Sequence, residues 1–86
     1  MPNDITALDP KDIRTGATIR ALREAHGLSI TELGRLVGVS RQLIGLIESG
    51  ERHATPAVCR AIADRLGIPL AAITVAGYAQ MRRPAS

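Results

Sequence analysis

Residues 29–50 read Ser29-Ile30-Thr31-Glu32-Leu33-Gly34-Arg35-Leu36-Val37-Gly38-Val39-Ser40-Arg41-Gln42-Leu43-Ile44-Gly45-Leu46-Ile47-Glu48-Ser49-Gly50, an order that few folds accommodate. Ser29 and Glu32 make an S-x-x-E capping box, which satisfies orphan amides at a helix start and predicts a helix over 30–37. Gly38 stands where a left-handed residue ends such a helix. Ser40 caps a second helix, 41–49, within two residues, and Gly50 stops it. Two helices joined this tightly cross steeply and need a small residue where their backbones meet, which Gly34 supplies. Leu33, Val37, Val39, Ile44 and Ile47 close the wedge between them. Arg41, Gln42, Gly45 and Leu46 are left on the other face.

The flanking segments are also helical in pattern. Residues 1–8 lack helical periodicity and read as an arm, after which Asp9 caps a helix that has Pro10 at its first position and Asp12 in its first turn. This helix either runs unbroken through Gly16 or restarts near Thr15, because an interior glycine costs about 1 kcal/mol relative to alanine. Ile19, Leu22 and Arg23 share a face, and Gly27 ends the helix. After the loop 51–55, Pro56 starts a helix through Leu66, with Val58, Cys59, Ile62, Ala63 and Leu66 inward and Gly67 closing it. Pro69 opens a short fifth helix, Leu70 to about Ile73. The division is therefore 1–14 as an N-terminal arm or helix extension, 15–74 as the domain and 75–86 as a tail.

Composition narrows the class. A chain of 86 residues supports one small domain with a modest core. Tyr78 is the only aromatic residue, so the core consists of short aliphatic side chains suited to close helix packing. The net charge of +3 permits a nucleic-acid partner without specifying one. All but one of the eleven cations are arginine, the better bidentate reader of guanine and phosphate. A single cysteine, Cys59, excludes an intramolecular disulfide and any two-cysteine zinc site, and its spacing with Ile62, Ala63 and Leu66 makes it a core thiol. Apolar runs fall far short of the roughly 20 residues of a membrane helix, and no secretory pattern opens the chain. The expectation is a cytoplasmic protein with no membrane association.

Taken together, the first helix, the capped pair 29–49, the Glu48-Ser49-Gly50 ending and the stretch Ala63-Asp64-Arg65-Leu66-Gly67-Ile68 resemble the lambda-repressor-like Cro/CI family of bacterial and phage regulators, over residues 15–74. The resemblance implies an all-α, compact five-helix domain with a helix-turn-helix, and a third helix that enters the major groove. It further implies a two-fold dimer on a pseudo-palindromic operator, which DNA itself completes where self-association is weak. Carried over by position, the base-reading residues are Arg41, Gln42 and Leu46. Arg41 suits guanine O6 and N7, Gln42 suits adenine N6 and N7, and Leu46 suits a thymine methyl; the alternative for Arg41 and Gln42 is a phosphate contact alone. Gly45 has no side chain to hold DNA away. Ser40, Thr31, Arg52 and His53 are the backbone contacts, with Ser40 first a helix cap and Arg52 and His53 alternatively plain solvated charge. The family pairs the positions of Arg23 and Glu48, so an ion pair between the first and third helices is expected. Two departures stand out: Ile30 replaces a phosphate-clamping Gln, and Ala72 replaces an aromatic residue.

Catalytic patterns are lacking. His26 and His53 have no nucleophile and acid arranged around them, no metal-ligand or P-loop spacing occurs, and neither enzyme activity nor a cofactor is expected. The leading expectation is a transcription regulator, most simply a repressor that occludes a promoter. The alternative is a helix-turn-helix antitoxin or interaction module whose arm or tail binds a partner protein.

Overall fold

The computed structural model describes residues 8–74. Four α-helices, α1 (Pro10–Ala25), α2 (Ile30–Val37), α3 (Arg41–Ser49) and α4 (Pro56–Leu66), are followed by a single 3₁₀ turn, Leu70–Ala72, and no strand occurs among the described residues. Each α-helix starts on a side-chain cap. Asp9 accepts from the Lys11 amide, Ser29 from Glu32, Ser40 from Leu43 and Thr55 from Val58. The capping box of α2 is closed in both directions, the Glu32 carboxylate accepting from the Ser29 amide at 2.7 Å.

The helix ends are equally local in origin. After α2, Gly38 takes φ 77° and the next amide, Val39, donates to the Gly34 carbonyl, so the turn is closed before Ser40 restarts the chain. The same bond to a carbonyl five residues back recurs at Leu28, Glu51 and Ile68. Leu28, Val39 and Ile68 also pack against the core, which fixes the direction in which the chain leaves each helix.

Ile19, Leu33, Ile44, Ile47, Cys59 and Ile62 are the largest fully buried side chains, drawn from all four α-helices. Complete burial of such a side chain contributes about 1.5–3 kcal/mol, so this small aliphatic cluster is the main hold on the helix arrangement. Leu22, Val37, Val39, Val58 and Leu66 flank it.

Two expectations are resolved here. α1 runs unbroken through Gly16, because that residue lies under α3: a Cβ there would run into the Ile47 carbonyl and come within 2.7 Å of the Glu48 carbonyl. Residues 10–14 are thus helix extension. The expected short fifth helix, Leu70 to about Ile73, is one 3₁₀ turn, Leu70–Ala72, with Ala72 donating to Pro69 and Ile73 to Leu70. Ile73 is buried and Leu70 packs on the core. Residues three apart eclipse in a 3₁₀ turn, so this winding turns both inward. Most of the expected arm, residues 1–7, and the tail 75–86 lie outside the described residues.

Candidate nucleic-acid interface

The candidate site is the outer face of α3. Ile44 and Ile47, one helical turn apart, are 0% and 1% exposed and anchor the inner face. Gly34 lets the turn close over α2, since a Cβ there would approach the Val39 carbonyl to 2.7 Å. The last turn of α3 is held from the other side by α1. Arg23 donates from Nε to Glu48 Oε2 at 2.7 Å and from Nη2 to Glu48 Oε1 at 3.1 Å, and its Nη1 donates to the Leu28 carbonyl at 2.8 Å. Burial alone would weaken this cation. The Glu48 hydrogen bonds outweigh desolvation and push the Arg23 guanidinium above its ordinary pKa, so it stays charged.

With its inner face and C-terminal end fixed, α3 presents Arg41 and Gln42 to solvent, and neither side chain has a partner among the described residues. Gly45 and Leu46 follow on the same face, both partly buried. Ser40 is engaged as the cap of α3, its hydroxyl accepting from the Leu43 amide at 3.1 Å. Thr31 is exposed in the first turn of α2. Past the end of α3, Arg52 is exposed and unpaired among the described residues, whereas His53 is not free: its Nδ1 lies 2.8 Å from Asp12 Oδ1. Ser49 donates to the Glu51 carboxylate at 2.9 Å, setting one negative charge next to Arg52.

Sequence reasoning missed Asp12 as the partner of His53, 41 residues away, and nothing local signals it. It also missed the role of Gly16, for which an interior glycine that leaves the helix intact was the available signal. Among the described residues no cluster of His, Cys, Asp and Glu is disposed to hold a metal ion, and no helix is long and apolar enough to cross a membrane. Cys59 is buried, and desolvation pushes its thiol pKa up, which favours the unreactive protonated form.

This arrangement is a pair of helices locked at a tight turn with the second helix's polar face left open. The helix-turn-helix family model HTH_3 matches residues 19–73. The chain belongs to this Cro/CI-like family. Among solved helix-turn-helix structures it is similar to the restriction-modification controller protein C.AhdI of Aeromonas hydrophila, 31% identical at a TM-score of 0.69, over 72% of this chain and 94% of that one. It is also similar to the DNA-binding domain of the P22 c2 repressor, 27% identical at a TM-score of 0.65, over 69% of this chain and 78% of that one. A curated relative, the "Putative HTH-type transcriptional regulatory protein" of Pyrococcus horikoshii, is 50% identical over 36 residues, or 42% of this chain. The match spans only 11% of that relative's length.

Proposed function

We propose that this helix-turn-helix protein is a sequence-specific DNA-binding transcriptional regulator that lays α3 in the major groove and represses by occluding a promoter. The observation that carries the reading is the division of α3 into a locked face and an open one. Ile44, Ile47 and Glu48 are committed to the fold, while Arg41 and Gln42 keep their full hydrogen-bonding capacity directed away from it. Arg is the side chain suited to guanine O6 and N7, and Gln to adenine N6 and N7. Family membership supports the same reading, as does likeness to a repressor's DNA-binding domain and to a restriction-modification controller.

One such helix reads only a few base pairs. Two copies on a pseudo-palindrome, with half-sites about one helical turn apart, supply the length that specificity requires. Acting on DNA, the protein belongs in the cytoplasm, and the chemistry is binding rather than catalysis.

Selection from a random duplex pool, followed by footprinting and ultracentrifugation of the complex, tests the proposal. The expected outcome is an inverted repeat occupied by two copies. A single copy on a non-palindromic site would refute the two-fold arrangement, and a pool that yields no preferred sequence would refute sequence reading.

A further inference from the structure

Three glycines lie inside helices among the described residues, and they are not equivalent. Gly16 and Gly34 are required by the fold, because a Cβ at either would drive into a neighbouring backbone carbonyl. Gly45, in the middle of α3, meets nothing within 4 Å if given a Cβ. Its φ is not positive, so no backbone conformation demands glycine either. An interior glycine nevertheless weakens a helix relative to alanine by about five-fold in the folding equilibrium, and α3 has only 9 residues to absorb that loss. Among the described residues nothing accounts for the missing side chain. The bare position lies on the face that carries Arg41 and Gln42, between them and Leu46.

We propose that Gly45 is a specificity-determining position, kept without a side chain so that a base-pair edge in the major groove closes directly onto the backbone of α3. A Cβ would hold the groove floor away from the helix and lift Arg41 and Gln42 off the atoms they bond. The groove at this point is read by contact with the bare backbone, which favours a bulky edge such as a thymine C5-methyl over a step that leaves the space empty. This inference rests on the DNA-binding reading above and adds to it a residue whose effects on stability and on binding have opposite signs.

The test uses the full chain as wild type, Gly45→Ala and Gly45→Gln, with melting curves, affinity for the operator that the wild type selects, and a fresh selection by each variant. Gly45→Ala is expected to raise the folding equilibrium about five-fold while weakening operator binding about ten-fold. Gly45→Gln should weaken it further and select a different base pair within each half-site. Variants that bind within about two-fold of wild type and select the same sequence would overturn the proposal, since the position then faces solvent. A Gly45→Ala protein that melts below wild type would also overturn it, because the glycine then has a reason inside the fold. If the wild type itself selects no sequence, the DNA-reading function fails and this inference falls with it, an outcome distinct from the other two.

Discussion

Arg23 and Glu48 join α1 to the last turn of α3 through two parallel hydrogen bonds, with only 11% and 6% of their side chains exposed. Burial decides what the pair is worth. Glu48→Ala would leave the guanidinium desolvated, with only the Leu28 carbonyl and the more distant Glu24 for company. We expect a loss of about 3–5 kcal/mol, because an uncompensated buried charge remains. The neighbouring Arg20–Glu24 pair has the same chemistry but is more than half exposed on both sides. Disrupting it by Arg20→Ala should change stability by only about 0.3–0.5 kcal/mol. Denaturant unfolding of the two variants checks the contrast, and equal midpoints would mean that the Arg23–Glu48 pair is not buried in solution.

Gly16→Ala should lower stability by about 1–3 kcal/mol or more, against the usual gain from replacing a helix-interior glycine by alanine. The sign is set by the carbonyls of Ile47 and Glu48, which are backbone atoms and move only if α3 moves. A shift there also disturbs Arg23 and Glu48, so the variant should bind DNA less well than its melting temperature alone predicts. A Gly16→Ala protein as stable as wild type would show that α1 and α3 are farther apart than the structure has them.

The elements most legible in the sequence are those decided within a few residues. The starts of α2 and α3 follow from Ser29 and Ser40, each bonding an amide three positions on, and the intervening turn from Gly38. The candidate site was legible to the same extent. Once Ile44 and Ile47 are assigned inward, the helical period sends Arg41 and Gln42 outward without further information. What was not legible depends on distant backbone. The continuity of α1 through Gly16 is decided by α3, about thirty residues later, and the Asp12–His53 contact by the way α1 passes the loop after α3. The last element failed for a different reason: Leu70-Ala71-Ala72-Ile73 has helical propensity, but three residues between a proline and a buried Ile73 turn more readily in 3₁₀ form.

Glu32 provides a pH signature. The Ser29 backbone amide, and secondarily the Ser29 hydroxyl, hold its carboxyl below the ordinary value of 4.5. A depressed folded-state pKa contributes stability that is complete above the unfolded value and is lost as pH falls through the folded one. Glu32→Gln keeps an acceptor for the Ser29 amide but does not titrate. Wild type should therefore melt above Glu32→Gln at about pH 6 and lose that advantage progressively as pH falls below 4.5. A difference that stays constant across this range would mean that the charge plays no part in the cap.

Reading and anchoring are separable by salt. Arg41 and Gln42 stand free on the open face of α3, whereas Arg52 lies beyond the end of the helix, in the loop that leads to α4. If Arg41 and Gln42 bond base edges, alanine at either should cost about 1–3 kcal/mol on the selected operator and relax preference at one or two base pairs, since a lost bidentate bond penalises only the matching base. Arg52→Ala should weaken all duplexes alike. A phosphate contact also releases counterions, so its removal should reduce the slope of log K against log salt by about one unit. The Arg41→Ala slope should change less than its affinity for the cognate sequence does. Titrations over a range of salt on the selected operator and on a scrambled duplex measure both quantities at once. Should Arg41→Ala and Gln42→Ala weaken the two duplexes equally, these side chains anchor the protein and a different surface reads the sequence.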